Sequence, residues 1–127
     1  MTTTTIVIDD QPDIRFLISQ MIELSDDTLQ VVAEAGTGED AVRLIKAMDS
    51  DDIPEVVVTD WMMPGMNGLE TVAQIRQQRP NARFIMCSAF ADDSLEAEAR
   101  EAGVDRFLSK DRIDQIPAAI RELGQPG

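Results

Sequence analysis

The sequence predicts an open, doubly wound α/β domain with five parallel strands, on three observations. Short apolar runs rich in β-branched residues recur at 5–8, 29–35, 56–59, 84–88 and 106–109. Several of these runs are continuous rather than alternating, as strands buried on both faces must be. Between the runs the apolar residues switch to helical spacing, so strand and helix alternate five times. Helix-separated parallel strands require right-handed crossovers, which bring every strand's C-terminal end to one side of the sheet.

Each element has its own local reason. The first strand carries Ile6, Val7 and Ile8 and ends at Asp9 and Asp10. Pro12 opens the first helix, where its missing N–H costs nothing, and Ile14, Leu17, Ile18, Met21 and Ile22 are read as its apolar face. The second helix is read on Ala41, Val42, Leu44, Ile45 and Met48, and the third on Leu69, Val72, Ala73 and Ile75. The fourth (Leu95, Ala99, Ala102) and the fifth (Ile113, Ile116, Ala119, Ile120, Leu123) repeat the spacing more weakly. Gly36, Gly103 and Gly124 fit helix ends or connecting turns. Connections such as Gly36-Thr37-Gly38 leave no room for a linker, so residues 1–127 are expected to form one domain, with no output domain in this chain.

Composition narrows the function. Hydrophobic residues at 43% and charged residues at 28% are globular values, not those of a disordered chain. A net charge of −13, with nine scattered arginines and only Lys46 and Lys110 beside them, disfavours direct binding of nucleic acid or of an anionic membrane. No apolar run approaches the roughly 18 residues of a membrane span. The start, Met1-Thr2-Thr3-Thr4-Thr5, lacks a signal-peptide pattern, so a cytoplasmic location is expected. The single cysteine, Cys87, lies in an apolar run and reads as a small core residue. There is no histidine, which removes imidazole-based zinc sites, Ser/His hydrolysis and self-phosphorylation on histidine.

In a doubly wound sheet, ligands bind outside the carboxyl ends of the strands, where strand order reverses. The candidates are therefore the residues that end strands: Asp9, Asp10, Asp60, Ser88 and Lys110. A lone Asp there is ordinarily a turn or helix cap, and a lone Ser or Lys is ordinarily bland. Five such positions together, one chemistry per strand end, are hard to attribute to caps. Carboxylates held close repel by roughly 1 kcal/mol per pair in bulk water and by several times that near a protein surface. Three at one sheet edge therefore read as a Mg²⁺ site for phosphoryl chemistry.

The chain resembles the receiver domain of two-component response regulators from its first strand to its last helix. The matching text is Ile6-Val7-Ile8-Asp9-Asp10, then Val57-Val58-Thr59-Asp60-Trp61-Met62-Met63-Pro64-Gly65-Met66-Asn67-Gly68. It continues with Met86-Cys87-Ser88-Ala89 and Gly103-Val104-Asp105-Arg106-Phe107-Leu108-Ser109-Lys110. The resemblance implies a flavodoxin-like (βα)₅ fold in which Asp60 accepts a phosphoryl group from a sensor histidine kinase, a phosphotransfer protein or a small phosphodonor. It implies Mg²⁺ held by Asp10, Asp60 and the Met62 backbone carbonyl, with Asp9 acting mostly through water. Ser88 and Lys110 would contact the phosphoryl oxygens. Phosphorylation would then draw the Ser88 loop inward and turn Phe107 from outside to inside, remodelling the surface of the fourth helix, fifth strand and fifth helix. Phe107 also reads simply as a half-buried strand residue.

Some positions depart from the family pattern. Asp111 follows Lys110 where Pro is common, as in receivers joined to helix-turn-helix output domains, so the path of that loop is open. Ser88 stands for the commoner Thr. Met62 and Phe90 are bulky and apolar where they could block attacking water, which predicts slow hydrolysis of the acyl phosphate. Trp61 reads as a loop anchor whose emission reports Mg²⁺. The expected partners are the kinase or phosphotransfer protein and a downstream protein or fused output domain, and a phosphorylation-dependent homodimer is left open.

Three other readings have weaker support. A Mg²⁺-dependent aspartyl-phosphate phosphohydrolase would carry a second acid two residues past its strand-one nucleophile, where this chain has Gln11-Pro12 after Asp10. A flavin carrier would need a Ser/Thr/Gly-rich phosphate loop in place of Asp9-Asp10-Gln11-Pro12-Asp13. A degenerate receiver would lack one of the five chemical positions.

Overall fold

A computed structural model describes residues 2–49, 53–89 and 92–124. The element order is β1 (Thr3–Ile8), α1 (Pro12–Ser25), β2 (Leu29–Ala35), α2 (Gly38–Ala47), β3 (Val56–Asp60) and α3 (Gly68–Gln78). Then follow β4 (Arg83–Ser88), α4 (Asp93–Ala102), β5 (Arg106–Ser109), a 3-10 turn (Lys110–Gln115) and α5 (Ile116–Gly124). All strand pairs are parallel, in the order β2-β1-β3-β4-β5.

Strand placement follows side-chain chemistry. Every residue of β3 is buried, and so are the last four of β1 and the last five of β4, because their continuous apolar runs can be covered on both faces. The polar Gln30 and Glu34 of β2 and Arg106 of β5 are exposed, which suits those strands to the edges. Two apolar layers sandwich the sheet. One packs Ile6, Ile8, Val57, Phe84 and Met86 against Val42 and Ile45 of α2, Val72 and Ile75 of α3 and Ala99 of α4. The other packs Val7, Val58, Ile85 and Cys87 against Ile18 and Ile22 of α1 and Ile116 and Ile120 of α5.

The winding reverses between β1 and β3, since β1 turns outward to β2 while every later strand adds on the other side. That reversal is the crevice-forming position of doubly wound sheets. It sets Ile8 beside Thr59 in register, and so brings the carboxylates next in sequence after each of that pair face to face.

Helix termini are fixed locally. Asn67 caps α3 with a full capping box to Glu70, and Asp92 caps α4 through the Leu95 N–H. Gly103 ends α4 at φ 103°, in the left-handed region that only glycine adopts without strain.

Three readings of the apolar faces need correction. Leu17 is 45% and Leu44 39% exposed, and Ala73 is exposed as well. In α1 the stripe of Leu17, Met21 and Leu24 runs beside the true core line of Ile18 and Ile22 and leaves the sheet, so Leu24 is 82% exposed. Adjacent positions on a helix differ by about 100° in direction, and spacing alone does not say which of two neighbouring apolar stripes meets the sheet. The fifth helix also starts later than its apolar spacing implied, because Ile113 belongs to the 3-10 turn and Arg112 is non-helical. Gly124 is the last residue of α5, a helix end as its place in the sequence suggested.

Candidate functional site

The site lies at the C-terminal edge of β1 and β3. Asp60 is the last residue of β3, and Asp9 and Asp10 directly follow β1. One carboxylate oxygen from each of the three lies within 4.8 Å of the others. Asp9 and Asp60 are buried at 1% and 5% exposure, while Asp10 is open to solvent. Asp10 and Asp60 line an open cleft of ≈ 510 Å³ together with Gln11, Met62, Met63, Pro64, Ala89 and Lys110.

The turn after β1 is tied at each polar atom of Asp9. Its N–H donates to the Ala35 carbonyl at 3.1 Å and its carbonyl accepts from Arg15 at 2.8 Å. Its Oδ1 accepts the Gln11 N–H at 2.9 Å, and its Oδ2 lies 3.3 Å from Lys110 Nζ. Lys110 also donates to Asp60 Oδ2 at 3.0 Å, so one ammonium bridges both buried carboxylates.

Electrostatics follow from that count of charges. Burial pushes the Asp60 carboxyl above the usual carboxylate range and the Asp9 charge pushes the same way, while hydrogen bonds from Lys110 and the Met62 N–H pull it down. Burial alone would lower Lys110, but the hydrogen bond to Asp60 and the charges of Asp9 and Asp60 outweigh it and raise its pKa. The two shifts are consistent: Lys110 is well compensated by two carboxylates, whereas a buried carboxylate sharing one ammonium with another is not. The local excess of negative charge suits an all-oxygen donor set for a hard divalent cation such as Mg²⁺.

The backbone around Asp60 is equally constrained. Trp61 N–H donates to the Cys87 carbonyl at 3.0 Å, and Gly68 N–H to the Trp61 carbonyl at 2.8 Å. A Cβ at Gly68 would sit 2.4 Å from the Asp60 carbonyl oxygen and 2.9 Å from Trp61 Cα. Only glycine lets the start of α3 approach the acceptor strand this closely. The spelling of the loop gave no hint of this contact, nor of the one made by Arg15.

Ser88 is buried at the end of β4, one position beyond the Cys87 that pairs with Asp60. Phe107 pairs with Met86 and packs half-buried against the α2/α3/α4 layer. Lys110 itself opens the 3-10 turn, with the Ser109 hydroxyl donating to Asp111. Met62 is 59% exposed at the cleft mouth, and Phe90 lies outside the described residues. Cys87 is inert: burial first, then the Asp60 and Asp9 charges, push its thiol up to about 12. Among the described residues, no helix is long and apolar enough to cross a membrane.

Comparison with known proteins shows the family and the fold. The family model of the response regulator receiver domain matches residues 5–121. The chain is 35% identical over 121 residues to the chemotaxis protein CheY of Listeria monocytogenes, covering 94% of this chain and 97% of that protein. It is 34% identical over 108 residues to the nitrate/nitrite response regulator NarL of Escherichia coli K12, covering 85% of this chain and 48% of that protein. It thus spans about half the length of the NarL relatives. Among solved structures, the signal receiver domain of a NarL response regulator from Mycobacterium tuberculosis superposes with a TM-score of 0.85 at 31% identity, covering 97% of this chain and 96% of that one. A LuxR-family DNA-binding response regulator from Staphylococcus aureus superposes with a TM-score of 0.84 at 31% identity, covering 97% and 99%.

Proposed function

This chain belongs to the response regulator receiver domain family, and from that premise we propose that Asp60 is the phosphoacceptor of a phosphorylation-activated switch. The reading is carried by one observation: three carboxylates from two strand ends converge within 4.8 Å, with Lys110 bridging the two buried ones.

An Asp60 carboxylate oxygen attacks the phosphorus of a phosphohistidine on a sensor kinase or phosphotransfer protein. The P–O bond forms as the P–N bond breaks, and the leaving imidazole nitrogen keeps the electron pair and takes a proton. Asp9, Asp10, Asp60 and the Met62 carbonyl would hold Mg²⁺, which supplies positive charge against the phosphoryl oxygens when bound. Lys110 neutralises a further phosphoryl oxygen, and the Ser88 hydroxyl donates to another. With no histidine in these 127 residues, a phosphohistidine donor lies outside them.

Switching follows from the same contacts. The phosphoryl oxygens, carrying up to about two negative charges where the Asp60 carboxylate carried one, pull Ser88 inward, and Phe107 follows into the vacated space, altering the α4/β5/α5 surface read by a downstream protein or a fused output domain. The chain catalyses only its own phosphorylation and dephosphorylation, in the cytoplasm, without binding nucleic acid itself. Met62, exposed at the mouth of the cleft, shields the acyl phosphate from water.

The test is intact-mass spectrometry after incubation with acetyl phosphate and Mg²⁺. One phosphoryl adduct that disappears in Asp60→Asn supports the reading. An adduct that persists in the variant refutes it, and steady turnover of a phosphate ester would instead favour a phosphohydrolase.

A further inference from the structure

We propose that Arg15, on α1, is a positioning residue for the cation site: it fixes the peptide that joins Asp9 to Asp10, and through it the direction of the Asp10 carboxylate. The proposal rests on reading the carboxylate trio as a Mg²⁺ site.

Arg15 has its side chain 23% exposed at the back of that turn. Its Nη1 donates to the Asp9 carbonyl at 2.8 Å, and its Nε lies 3.4 Å from Glu34 Oε1 on β2. A Cβ at Gly36 would lie 3.3 Å from the same Nη1, so the guanidinium is packed in place between two strand ends. The carbonyl it holds belongs to the peptide linking two proposed ligands. Rotation of that peptide would swing the Asp10 carboxylate relative to Asp9, which is itself locked by Ala35, Gln11 and Lys110.

A second cation beside a site built to attract Mg²⁺ is electrostatically unfavourable for the metal. Charge alone therefore predicts that removing Arg15 tightens Mg²⁺ binding. Positioning predicts the reverse, because groups that orient metal ligands typically change affinity by roughly ten- to a hundredfold when removed. The two accounts differ in sign.

Calorimetric Mg²⁺ titrations of the wild type, Arg15→Gln and Arg15→Lys decide between them, with thermal midpoints in EDTA recorded for each. The expected result is roughly tenfold weaker binding in Arg15→Gln, with Arg15→Lys intermediate because it keeps one donor but not the fork to Glu34. If Arg15→Gln fails to fold, Arg15→Lys carries the test: weakened binding supports positioning, and wild-type affinity overturns it. Equal or tighter Mg²⁺ binding by a folded Arg15→Gln overturns the assignment of Arg15 alone. A wild type that binds no Mg²⁺ overturns the assignment together with the metal-site reading beneath it.

Discussion

Asp60→Asn should stabilise the metal-free protein. The substitution keeps the shape of a side chain that is only 5% exposed while removing its charge. Two repulsions, with Asp9 and Asp10, disappear, and one attraction, with Lys110 at 3.0 Å, is lost. Each such pair is worth roughly 4 kcal/mol gross at 4 Å and an effective dielectric of 20, so about one repulsive pair is relieved. Losing a charged hydrogen bond offsets part of this, by about 1.5–3 kcal/mol, leaving a net gain of about 1–2 kcal/mol. For a domain of this size that is a rise of roughly 4–8 °C in Tm in EDTA. The pH dependence has a definite sign. Burial raises the folded pKa of Asp60 above its unfolded value, so its contribution is fully present below the unfolded value and is lost as pH rises through the folded one. The advantage of Asp60→Asn should therefore be largest near neutral pH, fade as pH falls through the raised folded pKa, and be gone below about pH 4, where both side chains are neutral. Calorimetric melts of both proteins across that range in EDTA measure it. A lower Tm for Asp60→Asn at neutral pH, or a difference that grows on acidification, would refute the charge-crowding argument.

The opposite sign is expected on the other side of the pair. Lys110→Met leaves Asp9 and Asp60 buried without their shared ammonium and should destabilise by about 2 kcal/mol in urea titrations in EDTA. Gly68→Ala puts a methyl 2.4 Å from the Asp60 carbonyl oxygen, where backbone must move. It should lower stability by about 2 kcal/mol or more and slow phosphorylation by acetyl phosphate, read by melts and by intact mass. The acyl phosphate of the isolated chain should outlast minutes after the donor is removed, because bulky Met62 stands at the cleft mouth. A half-life of seconds would count against that shielding.

The sheet was legible because its signal is one-dimensional. Runs such as Val56-Val57-Val58 can only be covered on both faces, and the acids that close them mark the functional edge without any tertiary knowledge. Helix faces were less legible. Leu17 is as apolar as Ile18, yet it stands 45% exposed, and only the packing of α1 on the sheet distinguishes them. The 3-10 turn at Lys110–Gln115 escaped for a related reason, since Ile113 keeps the helical spacing while Arg112 breaks the backbone. Arg15 and Gly68 meet carbonyls across a turn whose path their own neighbours do not spell out. Sequence periodicity carries no information about such contacts.

The most direct measurement is a crystal structure grown with Mn²⁺ and beryllofluoride, the latter standing in for a phosphoryl group. One anomalous peak is expected at coordination distance from carboxylate oxygens of Asp10 and Asp60 and from the Met62 carbonyl, with beryllium bonded to Asp60 and fluorines facing Lys110 and Ser88. Metal bound elsewhere, or beryllofluoride absent from Asp60 at saturating concentration, would contradict this reading of the site.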